Sequence, residues 1–168
     1  MRKLSIVMIV LVLFIITACN TRDKTLDKDT AKLKQEYEAT KQEIIKLQDE
    51  NLKNYKKATG VNLIHRDIEF DIENSIGKKF IIQGKASLSK YYNYGYKNLE
   101  KDAFSIKITP YDNSEAWYVY VARDNENGQK LFNKLKDIPD LDLIGVATIS
   151  KAYYQKGQGN MAVLLEYV

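Results

Sequence analysis

The chain has 168 residues, of which 26 are Lys or Arg and 22 are Asp or Glu. That length leaves room for one ordinary domain and an appendage. The formal charge of +4 is too small to point to nucleic acid or anionic lipid by itself, and a single cysteine excludes any disulfide within the chain.

Arg2 and Lys3 form a short basic opening, and Leu4 to Ile16 follows as a run in which only Ser5 is polar. A membrane-spanning helix needs about 20 apolar residues, so this run suits a cleaved export signal better than a span. It ends in Ile16-Thr17-Ala18-Cys19, an aliphatic residue and two small ones before a cysteine. This segment resembles the lipobox of bacterial lipoproteins. The resemblance covers residues 1–19 and implies three things: cleavage before Cys19, lipid on its thiol, and an extracytoplasmic protein anchored to a bacterial membrane. Two or three acyl chains give stable anchoring where one gives only marginal binding. An ordinary signal peptide that contains a cysteine is the alternative. Without Arg2 and Lys3 the mature chain keeps 24 basic residues against 22 acidic ones. No cofactor is expected beyond the lipid on Cys19.

Residues 20–57 contain neither Gly nor Pro and are rich in Lys, Glu, Gln, Leu and Ala, which favour helix. Leu26, Thr30, Leu33, Tyr37, Thr40, Ile44, Leu47 and Asn51 recur at alternating spacings of four and three, which makes a stripe on one helical face. Thr25 or Asp27 suits the N-cap, and Gly60 suits the position just past the end. About 33 residues at 1.5 Å each would reach roughly 50 Å. The expected organisation is a leader over 1–18, an anchor and helical stalk over 19–60, and a domain over 61–168. The stripe over residues 26–51 fits a homodimeric coiled coil, a solvated helix, or a helix packed back on the domain. Thr30, Thr40 and Asn51 weaken the first option.

From Val61 the period changes to two. Ile68, Phe70 and Ile72 alternate with Glu69, Asp71 and Glu73, which predicts a half-buried strand. Three further strands are predicted, around Phe80-Ile82-Gly84-Ala86-Leu88, Phe104-Ile106-Ile108 and Trp117-Val119-Val121. Pro110 and Asp112-Asn113-Ser114 mark a turn between the last two. A helix follows over Gly128 to Ile138, with Leu131, Phe132, Leu135 and Ile138 on one face. Leu141 to Tyr154 and Met161 to Val168 close the chain as strands. The class is mainly β with one helix (α+β): an OB-like five-stranded barrel preceded by a long N-terminal helix. Gly84 suits a strand that bends at a barrel corner. Phe104, Ile106, Val119 and Val163 are expected to fill the barrel. On element order, residues 77–168 resemble the OB-like domains, related to tRNA-anticodon-binding modules, that occur in some bacterial lipoproteins.

Little in the chain points to catalysis. His65 is the one histidine, no Ser sits in a Gly-flanked elbow, and acylation removes the thiol. A zinc site needs three or four His, Cys or carboxylate ligands, and only carboxylates are plentiful. Glu69, Asp71 and Glu73 would share a face if they lay on a strand, which leaves weak calcium binding open. The twelve tyrosines say more. Tyr91, Tyr92, Tyr94 and Tyr96 crowd the loop after the first barrel strand, where an OB-fold borders its ligand groove. Lys156 lies in the Gln155–Asn160 loop, the other border. Tyr118 and Tyr120 point the same way on the third strand, and Lys107 is expected beside them. Tyrosine offers flat apolar area with a hydroxyl, suited to sugars, bases or protein surfaces. Covering the barrel is the competing use of these rings.

The function expected is non-catalytic: an anchored binding module for an envelope protein or cell-wall glycan. Single-stranded nucleic acid is the alternative, opposed by 14 Lys and Arg against 14 Asp and Glu in residues 61–168. An envelope enzyme or enzyme inhibitor is the third possibility.

Overall fold

A computed structural model describes residues 24–168, with side chains from residue 30 onward. The lipobox-like segment and Cys19 therefore lie outside the described residues. The described residues divide into two units, one ending at Gln48 and the other spanning Asp49–Val168. Among the described residues no helix is long and apolar enough to cross a membrane.

Helix α1 spans Lys24–Thr59. Thr25 and Asp27, the expected caps, both fall within this span. Gly60, at φ +71°, ends it and donates its N–H to the Lys56 carbonyl at 2.9 Å. A left-handed residue at that position costs glycine nothing. Within the second unit Leu52, Tyr55 and Thr59 are half-buried. Burial, and then the nearby Glu166 carboxylate, hold the Tyr55 phenol above its ordinary pKa.

The next segment corrects the strand expected over Ile68–Glu73. A short helix α2, His65–Glu69, and a 3₁₀ turn, Glu73–Ser75, stand there instead. Asp67 caps the helix start by accepting the Ile64 N–H at 2.8 Å. Ile68 is in the core, Ile72 is half-buried and Phe70 is 84% exposed. Ile68 and Ile72 are four residues apart, so one helical face accounts for them as well as strand alternation does. Glu69, Asp71 and Glu73 therefore share no strand face.

Five strands close into a barrel in the order β1-β2-β3-β5-β4. They are β1 Lys79–Ser89, β2 Ala103–Pro110, β3 Trp117–Ala122, β4 Leu141–Thr148 and β5 Met161–Tyr167. Every pairing is antiparallel except β3 with β5. With helix α3, Glu126–Asp137, between β3 and β4, this is the OB-like arrangement. Asn125 caps α3 by accepting the Gly128 N–H. Leu131 and Leu135 carry the helix into the barrel core. Ile138, expected on that face, lies past the helix end and is half exposed.

Phe80, Ile82 and Ala86 of β1, Phe104, Ile106 and Ile108 of β2, and Trp117, Val119 and Val121 of β3 point inward. Val163 does not. On β5 the inward residues are Ala162 and Leu164, and Val163 packs outside with Tyr120 and Met161. The run Met161-Ala162-Val163-Leu164-Leu165 is apolar on both faces, so its parity could not be read from alternation. The strand expected to reach Tyr154 stops at Thr148. Beyond it, the N–H groups of Tyr153 and Tyr154 both bond the Ser150 carbonyl, which turns the chain.

Gly84 pairs with Pro110 on one side and Leu143 on the other. A Cβ there would meet the Thr109 carbonyl oxygen at 2.2 Å, a backbone clash that no rotamer change relieves. Gly84→Ala should therefore destabilise the barrel by about 1–3 kcal/mol or more. Gly159→Ala, at a loop position where a Cβ meets nothing within 4 Å, should stay within about 0.5 kcal/mol. Urea unfolding of the two variants measures the contrast, and equal costs would contradict this account of the corner.

Candidate binding face

The ladders set two rows of side chains across the outside of the barrel. One runs Ser87, Lys107, Tyr118, Met161 from β1 through β2 and β3 to β5, and the next runs Ser89, Ser105, Tyr120, Val163. Tyr118 and Tyr120 thus share a face, with Lys107 directly opposite Tyr118.

The loop after β1 lies over the second row. Asn93 accepts the Tyr94 N–H at 2.9 Å and starts a 3₁₀ turn, Tyr94–Leu99. Gly95 lets this turn touch the loop after β4, since a Cβ there would sit 2.2 Å from the Tyr153 carbonyl oxygen. Tyr96 is fully buried and stacks on Tyr120 with ring centroids 4.7 Å apart. The Tyr96 hydroxyl donates to the Met161 carbonyl at 3.3 Å. The Tyr92 hydroxyl accepts the Ser105 N–H and donates to the Ala103 carbonyl, both at 3.1 Å. It thereby satisfies β2 backbone groups as a neighbouring strand would. Tyr94 donates to the Gly157 carbonyl at 2.9 Å and so ties the two loops together. Gln158, also buried, accepts the Gln155 N–H and donates to the Met161 carbonyl.

Tyr120 and Tyr96, expected at the ligand face, are therefore buried in the core. Both are 0% exposed, and with Ala103 and Met161 they form a second apolar cluster, against which Tyr92, Tyr94 and Tyr153 pack. Burial raises the pKa of both phenols, and for Tyr120 the neighbouring Tyr91 and Tyr96 add to it. Both stay neutral and act as donors, Tyr120 to the Tyr91 carbonyl at 3.1 Å.

What stays open is the first row. Tyr91 is 38% exposed and lies over half-buried Tyr118, with ring centroids 4.2 Å apart and planes at 32°. Asn93 donates from its side chain to the Tyr91 hydroxyl at 3.1 Å, which fixes the outer ring. Lys107 is exposed beside the pair, and Lys156 is exposed in its loop. Tyr91, Tyr118 and Lys107 thus come together, Tyr94 is half-buried at the loop junction, and Tyr92, Tyr96 and Tyr120 serve the interior.

A second polar constellation went unseen in the sequence. His65 of α2, only 7% exposed, places Nε2 3.0 Å from Ser114 Oγ and 3.2 Å from Asp112 Oδ2. Ser114 Oγ donates to Asp112 Oδ1 at 2.7 Å. The residue types are those of a hydrolytic triad, but the geometry differs. Both partners meet the same ring nitrogen, and the serine proton points at the carboxylate and not at the base. Burial pushes the Asp112 carboxyl up, but hydrogen bonds from Ser114 and the charge of His65 outweigh it and leave the pKa lowered. The arrangement holds α2 to the β2–β3 turn. Among the described residues no group of three or more His, Cys, Asp or Glu is placed to share a metal ion. Two open depressions lie elsewhere. One, of about 280 Å³, is bordered by the start of α3 and by Leu165 and Glu166 of β5. The other, of about 260 Å³, is bordered by Phe104, Arg123 and Phe132.

No protein-family model matches the chain, and no curated protein matches it. Among solved structures it is similar to an OBody, AM3L09, bound to hen egg-white lysozyme. The two are 13% identical, the match covers 64% of this chain and 92% of that one, and the TM-score is 0.41.

Stability separates the interior tyrosines from the open ones. Tyr120→Ala should cost about 3–5 kcal/mol, as large-to-small core changes do. Tyr118→Ala should cost about 1 kcal/mol, the worth of an aromatic contact at a half-exposed site. Chemical denaturation of both variants tests the division. A Tyr118 variant as damaged as the Tyr120 variant would place Tyr118 in the core too.

Proposed function

We propose that the chain is a lipoprotein, anchored through lipid on Cys19, whose OB-like barrel is a non-catalytic binding module. Its partner is an envelope protein or a cell-wall glycan, and contact falls on Tyr91, Tyr118 and Lys107. The observation that carries this reading is the division among the tyrosines. The loop rings are largely spent on closing the outer sheet face, yet Tyr91 and Tyr118 stay accessible as a tilted ring pair beside a cation. Such a pair gives a rigid apolar surface whose hydroxyls can bond sugars or peptide groups at little entropic cost. The same pair with its lysine supports the second reading, stacking of single-stranded nucleic acid, while the neutral balance of residues 61–168 weighs against it.

The anchor is tested by Cys19→Ala in the producing cell. An unprocessed precursor without lipid label is expected, and normal maturation with membrane retention would end the lipoprotein reading.

The face is tested by titrating the chain with soluble peptidoglycan fragments and with an oligothymidylate while following backbone amide shifts. Shifts at residues 91, 107 and 118 with the glycan, lost in a Tyr118→Ala/Lys107→Ala variant and insensitive to salt, are expected. Oligothymidylate binding there that falls steeply with salt would transfer the face to nucleic acid. Shifts confined to other surfaces would remove it as the site.

A further inference from the structure

Helix α1 carries a surface whose partner its own residues identify. Leu33, Tyr37, Thr40, Ile44, Leu47 and Asn51 follow a strict alternation of four and three and so occupy positions a and d of successive heptads: Tyr37, Ile44 and Asn51 at a, Leu33, Thr40 and Leu47 at d. Tyr37 is 43% exposed, Ile44 39% and Leu47 54%. That is a large apolar stripe to leave in water on one helix.

The residues beside the seam decide what covers it. One flank, the g positions, is acidic: Glu36, Glu43 and Glu50. The other flank, the e positions, carries Lys34, Lys41 and Gln48. When two copies lie parallel and in register, each g position meets the e position five residues further along the other helix. Glu36 then faces Lys41 of the second copy, twice by symmetry, and Glu43 faces Gln48. In an antiparallel pair the acidic flanks would face each other, as would the lysines.

The seam agrees with the flanks. A β-branched residue at a with leucine at d favours two parallel strands, and an asparagine at a fixes their register. Ile44, with Leu33 and Leu47, supplies the first, and Asn51 the second. Thr40 is the polar d residue. Its hydroxyl already donates to the Glu36 carbonyl at 2.8 Å, so covering it orphans no donor.

We infer that residues 33–51 pair with the same segment of a second copy of this chain as a parallel, in-register, two-stranded coiled coil. The pairing needs only these residues and holds whether or not Cys19 carries lipid.

The test uses the full chain in detergent micelles, with Cys19→Ser so that an introduced thiol is the only one. Leu47→Cys, at a d position, should give a covalent dimer on mild oxidation, and Ile45→Cys, off the seam, should not. Sedimentation without the thiol probes should show a reversible dimer. Lys41→Glu should weaken that dimer roughly three- to tenfold, because two attractive contacts become repulsive. Glu36→Lys combined with Lys41→Glu should restore it. A monomer at every concentration reached would overturn the inference. So would cross-linking that Lys41→Glu leaves unchanged, or a dimer that Lys41→Glu strengthens, the outcome for antiparallel helices.

Discussion

Strand β1 has to serve two neighbours at once. It pairs with β4 along Lys79–Ala86 and with β2 along Gly84–Ser89, and the two ladders overlap at Gly84, Lys85 and Ala86. Glycine at the point where the ladders overlap leaves the strand free to bend there. There the backbone of β2 comes so close that no side chain fits between. Pairing on both sides of β1 joins the sheet into the closed barrel, whose interior is filled by Phe80, Ile106, Trp117 and Val119 together with Leu131 and Leu135 of α3. Each strand has a neighbour on both sides, although β3 meets β5 only over Tyr118–Tyr120.

A closed barrel of five short strands has a small interior, and here a second apolar cluster forms on its outside. The loop after β1 contributes Tyr92 and Tyr96, the loop after β4 contributes Tyr153 and Gln158, and both settle on Tyr120, Met161 and Val163. The hydroxyls carry this packing as much as the rings do. Each of Tyr92, Tyr94, Tyr96 and Tyr120 donates to a backbone carbonyl, so residues with polar tips can be covered without orphaned groups. The loops that border the barrel's outer face are thereby tied to it and to each other, and the surface between them narrows to Tyr91, Tyr118 and Lys107.

Where one period and one face were unambiguous, the sequence could be read. In β2 and β3 apolar residues alternate with polar or tyrosine residues, and that placed Phe104, Ile106 and Val119 inside and Lys107 and Tyr118 outside. Five residues at Ile68–Ile72 were too few to separate a helical period from an extended one. In β5 the apolar run carried no parity, which is why Val163 was assigned to the wrong side. Burial of Tyr96 and Tyr120 depends on two loops distant in sequence meeting each other, and alternation has no access to that. Gly95, set between two tyrosines, was the one local sign of a close approach. The clasp of His65 with Ser114 joins residues 49 apart and left no pattern to find.

The order of strands in space also constrains how the fold can be reached. β5 follows every other strand along the chain, yet it lies between β3 and β4 in the barrel. A chain emerging N-terminus first, from a ribosome or through a membrane pore, can assemble β1 with β2, β3 and β4 while the facing edges of β3 and β4 stay open. Only when residues 161–167 arrive do both edges find hydrogen bonds, one ladder parallel and the other antiparallel. Such non-local closure is slow compared with hairpin formation. The half-made barrel exposes two unpaired edges and the apolar face around Trp117 for that interval, and copies released together are then most able to mispair.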